Sequence, residues 1–177
     1  NSLGIKANAW KRTKEKKGIK YKINAHADWR RIFSLSNKNK NYFKFTVERN
    51  PWDKVVSLYY YFLNSGFNRN KRYIVRSQGF DGFLMNTRMW KICYNWPLYT
   101  DKKDRIKVDY ICKYENLQED LKHVESQIDV KFTHLMQKKA NASFRPKRDY
   151  RSMYSKEMKK KVENFYRKEI EYFGYEF

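Results

Sequence analysis

Along residues 41–48, Phe43, Phe45 and Val47 alternate with Lys44, Thr46 and Glu48, the two-residue period of a strand with one face on a core. The chain then runs straight into Arg49-Asn50-Pro51-Trp52-Asp53. Asn50 is a favourable N-cap, Pro51 suits the first helical position, and Asp53 puts an acid in the first turn, so a helix to about Leu63 is expected. Strand, tight turn and helix start in succession aim free backbone N–H groups and the positive end of the helix dipole past the sheet edge, where an anion binds. The same grammar returns downstream. Ile106, Val108, Tyr110, Cys112 and Tyr114 alternate with polar partners, Asn116 and Glu119 form a capping-box-like start, and Leu117, Leu121, Val124 and Ile128 follow at helical spacing.

Other segments are plainer. Met158, Val162, Phe165 and Phe173 oppose Lys159, Lys160 and Lys161 from Ser155 onward, and Gly174 closes the run, predicting a terminal helix. Leu3, Ala7 and Trp10 share a helical face over residues 1–10, and the lysine-dense stretch 11–22 reads as an exposed loop. Between Asn64 and Thr100 only a short helix around Phe80, Phe83 and Leu84 is legible, and Asp101 and Asp104 flank lysines in a hairpin-like tip. Strands alternating with helices, with neither a repeat nor a Gly- or Pro-rich linker, predict one α/β domain with a mostly parallel sheet.

Composition narrows the partners. The 177 residues carry 40 Lys plus Arg against 19 Asp plus Glu, a net charge of +21. That excess favours nucleic acid, an acidic membrane, a polyanionic glycan or a multiply phosphorylated cofactor. With 12 Phe, 15 Tyr and 5 Trp the chain has material for a core, which argues against disorder. Two cysteines are too few for a disulfide framework or a cysteine-built zinc site, and no His or carboxylate cluster has metal-ligand spacing, so no metal is predicted. No apolar run approaches the roughly 20 residues of a membrane span, and there is no signal-peptide pattern.

The most informative stretch is FKFTVERNPWDKVVSLYYYFL, residues 43–63. Arg49 closes the strand and Ser57 lies two turns into the helix, so a guanidinium and a hydroxyl converge on one phosphate. The pattern Arg-Asn-Pro-x-Asp-x-x-x-Ser-x-Tyr resembles the 3′-phosphate-binding segment of sulfotransferases that use 3′-phosphoadenosine 5′-phosphosulfate (PAPS), in particular the carbohydrate-sulfotransferase-like group of Golgi and bacterial type. VDYICKYENLQEDL (108–121) is similar to that family's second strand and following helix, and YRSMYSKEMKKKVENFYRKEIEYFGYEF (150–177) to its C-terminal signature. AHADWRRI (25–32) resembles its His-Ala-Thr-Ala segment, and the four segments stand in family order.

The resemblance implies an α/β fold related to P-loop kinases, with a parallel central sheet flanked by helices, spanning residues 1–177 as a single sulfotransferase domain without its first strand and 5′-phosphosulfate loop. It implies PAPS as donor and in-line transfer to the hydroxyl of a carbohydrate or small metabolite. Carried over residue by residue, Arg49 and Ser57 hold the 3′-phosphate, and Lys147 and Arg148 in FRPKRDY belong to a basic loop over the donor. His26 takes the acceptor proton, a task imidazole performs at neutral pH and lysine or arginine does not. Ser2 stands at the tail of the 5′-phosphosulfate loop, whose lysine is not in this sequence, and slow turnover follows from losing that charge partner. Two positions depart from the family pattern: Glu48 stands where an apolar residue is usual, and Lys54 where Arg is common.

Two other classes compete. A single-strand nucleic-acid binder would use the same charge and interleaved aromatics, but the basic residues are scattered along the chain rather than gathered in one arm or helix. A P-loop phosphotransferase shares the fold class yet has no role for the Arg-Asn-Pro segment. A hydroxyl acceptor rather than nucleic acid is therefore the expected partner; the basic residues between 64 and 100 suit an acidic or already sulfated glycan, although a solvated charge run is the commoner reading of such a stretch. The Lys and Asn bias points to an AT-rich genome, and with no signal-peptide pattern visible a microbial cytoplasmic enzyme is expected. The alternative is a Golgi-lumen enzyme with its anchor removed, for which Asn141-Ala142-Ser143 is a glycosylation sequon.

Overall fold

The computed structural model describes residues 13–16, 19–22, 28–34, 41–64, 69–128, 130–132, 145–146 and 148–177. In chain order the elements are β1 (Thr13–Lys16), β2 (Ile19–Lys22), α1 (Trp29–Ser34), β3 (Phe45–Glu48), α2 (Pro51–Asn64), α3 (Arg69–Met85), α4 (Thr87–Trp90), α5 (Trp96–Tyr99), β4 (Tyr110–Lys113), α6 (Leu117–Ile128), α7 (Lys156–Phe165) and α8 (Arg167–Phe173). β3 and β4 pair in parallel, which requires the long helical crossover between them. Helix and strand mix as expected of an α/β chain, but among the described residues the parallel sheet is two strands wide.

The chain divides into two compact units, residues 1–46 with 97–110 and residues 47–96 with 111–177. In the first, β1 and β2 form an antiparallel pair with Thr13 opposite Lys22, where the lysine density predicts only exposed loop. Charge makes a segment wet; it does not stop alternate backbone groups from pairing. The Trp29 indole N–H donates to the Thr100 carbonyl at 2.8 Å, and the Lys44 N–H donates to Asp109 Oδ2 at 2.7 Å. Thr100 and Ile106 bridge antiparallel to close the polar tip. There Asp101 Oδ1 accepts the N–H groups of Lys103 and Arg105, and Asp104 takes a left-handed φ of 59°.

The second unit holds the aromatic core. Trp52, Val55, Val56 and Phe62 of α2 pack with Val75, Phe80, Phe83 and Leu84 of α3, Met89 and Trp90 of α4, and Val162 and Tyr166 near the C-terminus. Four buried polar tips of this core find main-chain partners, as aromatic side chains usually do once dry. Trp52 Nε1 donates to Lys159 O, Trp90 Nε1 to Leu84 O, Tyr154 Oη to Trp52 O and Tyr166 Oη to Trp90 O, all at 2.8–3.1 Å. Burial pushes the Tyr154 and Tyr166 phenols far above their ordinary value, so both act as neutral donors.

Local chemistry explains the departures from the periodicity. α3 extends well beyond the short helix expected around Phe80, and it is broken at Gly79, whose φ of 65° favours a residue without Cβ. The terminal helix splits into α7 and α8 at Tyr166, where φ and ψ are −96° and 17°. Ser155 caps α7 by accepting the Met158 N–H at 3.2 Å, and Gly174 ends α8 in the left-handed region. On β3 the expected alternation inverts at its end: Val47 is 37% exposed while Glu48 is 1% exposed.

Glu48 is inside because Lys54 is inside. Lys54 Nζ sits 2.6 Å from Glu48 Oε1 and 2.7 Å from Glu169 Oε2, beneath the Tyr166 ring. Glu169 Oε1 accepts the N–H groups of Asn95 and Trp96, both at 3.1 Å. Burial raises the Glu169 carboxyl to about 7, against the pull of Lys54, with the Glu48 charge adding to the rise.

Two outcomes follow. Replacing Lys54 with Met leaves two carboxylates buried without a cation and lowers stability by about 3–5 kcal/mol in urea denaturation. The raised Glu169 carboxyl binds its proton more tightly in the folded state, so its contribution to stability is full below the unfolded value of 4.5 and is lost as pH rises through about 7. Melting temperatures measured across that range should fall with pH, and Glu169→Gln should flatten the slope.

Candidate functional site

The turn joining β3 to α2 is held by carboxylates. The Arg49 N–H donates to Glu48 Oε1 at 3.0 Å, the Asn50 N–H to Glu115 Oε1 at 2.7 Å, and the Trp52 N–H to Asn50 Oδ1 at 3.1 Å. Asn50 thus caps α2 as its sequence position predicts, while its Nδ2 donates to the Glu176 carbonyl at 2.8 Å. The expectation of free N–H groups at this turn is corrected: three of them already serve side chains of the protein. Any anion here must therefore be held chiefly by side chains.

Those side chains gather on Asp53. Arg49 Nε and Nη2 each lie 2.5 Å from Asp53 Oδ2, and Arg145 Nη1 bonds the other oxygen, Oδ1. Beneath the Arg49 guanidinium lies the Tyr114 ring, 4.2 Å from guanidinium carbon to centroid. Two cations on one carboxylate leave the cluster a net positive charge. Its side chains are only about a fifth exposed, so water screens that charge less than at an open surface. Arg49 spends two of its five N–H donors on Asp53, which leaves the rest of its fork for a ligand. Ser57 lies one turn beyond Asp53 on the same face of α2, half-buried, and its hydroxyl makes no hydrogen bond among the described residues.

Of the residues singled out in the sequence, Arg49 bonds Asp53 from just ahead of α2, and Ser57 lies one turn beyond Asp53 within that helix. Arg148 is exposed, its N–H donating to the Pro146 carbonyl at 2.8 Å. Ser2, His26 and Lys147 lie outside the described residues. Three neighbours were missed. Arg145 belongs to the basic FRPKRDY segment, but periodicity does not tell which of its cations turns inward. Tyr114 and Glu115 sit in the quoted second-strand segment, where they read only as strand end and helix approach.

Other reactive groups are quiet. Burial raises both thiols to about 11: Cys93 against the pull of Lys54, and Cys112 with Asp120 adding to the rise. Neither is a thiolate nucleophile near neutrality. Among the described residues no group of His, Cys, Asp and Glu could hold a metal ion, and no helix is long and apolar enough to cross a membrane.

Comparison with known proteins bears on what this cluster serves. A family model described as the sulfotransferase family matches residues 5–176, nearly the whole chain. An uncharacterised protein of Archaeoglobus fulgidus is 38% identical over 91 residues, covering 49% of this chain and 68% of that protein. No solved structure matches the chain.

Proposed function

The chain belongs to the sulfotransferase family, and on that premise we propose that it moves a sulfonyl group from PAPS to a hydroxyl of a carbohydrate acceptor. The observation that carries the donor assignment is the Arg49 guanidinium, pinned by Asp53 and Tyr114 at the start of α2, with the Ser57 hydroxyl one helical turn beyond Asp53. A guanidinium fork beside a hydroxyl suits a terminal phosphate, which takes several donors at once. Arg49 and Ser57 hold the 3′-phosphate, and Arg145 adds positive charge from the facing loop. The P-loop-kinase-like fold is part of the same proposal, supported by the parallel pairing of β3 and β4 with the phosphate site at the end of β3.

The donor supplies an activated sulfur to the site. Arg49 and Ser57 fix the nucleotide end, so that the acceptor oxygen meets sulfur in line with the departing phosphate oxygen. The new sulfur–oxygen bond forms as the old one breaks, and the acceptor proton passes to His26, the general base in this scheme. Ser2, Lys147 and Arg148 complete the donor contacts. The net charge of +21 favours an acidic glycan as acceptor.

Calorimetric titration with adenosine 3′,5′-bisphosphate, with adenosine 5′-monophosphate and a short oligonucleotide as controls, tests the donor site. Arg49→Ala should weaken the bisphosphate by about thirtyfold or more, the loss of a charge-assisted contact, and Ser57→Ala by about fivefold. An Arg49→Ala protein that binds the bisphosphate like wild type would sink the assignment. Binding of the oligonucleotide alone would move the protein to the nucleic-acid class.

A further inference from the structure

Three buried charges lie directly behind the candidate phosphate site, and no step of the chemistry uses them. The side chains of Glu48 and Glu169 are 0% exposed and that of Lys54 is 9% exposed. One ammonium between two carboxylates costs more desolvation than an apolar trio of the same volume, so stability alone does not explain the arrangement. Two of the three, Glu48 and Lys54, stand six residues apart in sequence at the strand-to-helix turn, and each is the other's partner. A single atom joins them to the site: Glu48 Oε1 accepts both the Lys54 ammonium at 2.6 Å and the Arg49 main-chain N–H at 3.0 Å.

The chain of contacts is continuous. Glu169 is held through Oε1 by the main chain of Asn95 and Trp96, and its Oε2 takes Lys54 at 2.7 Å. Lys54 fixes the Glu48 carboxylate, which fixes the peptide from which the Arg49 side chain departs. Lys54 also follows Asp53 directly in α2. Anchoring it inside sets the rotation of the helix about its axis, and with it the outward placement of Asp53 and Ser57.

We propose that Lys54 and Glu169 are positioning residues, which tie α8 to the Arg49 peptide and thereby set the affinity of the site for the ligand's 3′-phosphate without touching the ligand. This role rests on the phosphate site proposed above. It predicts a selective effect: loosening the triad degrades the contact to the 3′-phosphate and spares the rest of the nucleotide.

Calorimetry on the whole chain distinguishes this from general weakening. Wild type should prefer adenosine 3′,5′-bisphosphate over adenosine 5′-monophosphate. Glu169→Gln should lose about tenfold in bisphosphate affinity with the monophosphate held within about twofold, the size of effect that remote coupling residues exert. Lys54→Arg, which keeps the cation, should retain the preference. If Glu169→Gln does not fold, Glu169→Asp keeps the charge but draws the carboxylate back by one methylene, and the same selective loss is expected. Bisphosphate affinity unchanged in the folded variants, or both ligands weakened by the same factor, overturns the positioning role and leaves the phosphate site standing. A wild-type protein with no preference for the bisphosphate overturns the phosphate site and the positioning role together.

Discussion

The Lys54 ammonium, clasped between Glu48 and Glu169, is the constraint around which the second unit is organised. It is bonded at 2.6 and 2.7 Å and closed off by the Tyr166 ring, so it joins the end of β3, the inner face of α2 and the middle of α8 at one point. Apolar packing is non-directional and tolerates sliding, whereas a buried ammonium accepts only the geometry that satisfies it. The aromatic core around Trp52, Phe83, Trp90 and Tyr166 provides the burial, and the triad fixes the register in which that burial occurs.

The proposed phosphate site grows out of the other side of the same junction. One side of α2 points Lys54 inward to two carboxylates, and the neighbouring Asp53 points outward to two guanidiniums. The chain thus alternates charge across a single helical turn and uses each charge to orient the opposite kind. Glu48 and Glu115 take the main-chain N–H groups of Arg49 and Asn50, so the turn is rigid before any ligand arrives. In the proposed function, recognition then falls to the Arg49 fork and the Ser57 hydroxyl, groups that give direction as well as charge.

The C-terminal residues serve this junction too. The Phe177 ring lies 5.5 Å from both Trp52 and Tyr154 and 5.9 Å from Tyr150, and the Glu176 carbonyl accepts the Asn50 amide. The Phe-Gly-Tyr-Glu-Phe ending, legible as a family signature, therefore acts physically as a strap across the start of α2. Its turn depends on Gly174, whose left-handed backbone ends α8 and releases the chain toward Asn50.

Short-range rules were enough for much of this. Alternation placed β3 and β4, the Asn-Pro-x-Asp order placed the start of α2, and Ser155 and Gly174 bracketed the terminal helices, because each depends only on neighbours in sequence. The break at Tyr166 and the left-handed turn at Gly79 were not legible in the hydrophobic periodicity. Nor could periodicity show that Glu48 is buried and Val47 exposed, that Lys54 lies inside, or that Arg145 rather than its neighbour Arg148 turns toward Asp53. A buried charge is tolerated only when its partners arrive from elsewhere in the chain, 115 residues away for Glu169 and 92 for Arg145. Sequence by itself determined β3, α2, β4, α6, the terminal helical run and the family; the tertiary structure decided which charges go inside, because only there do the partners that permit it meet.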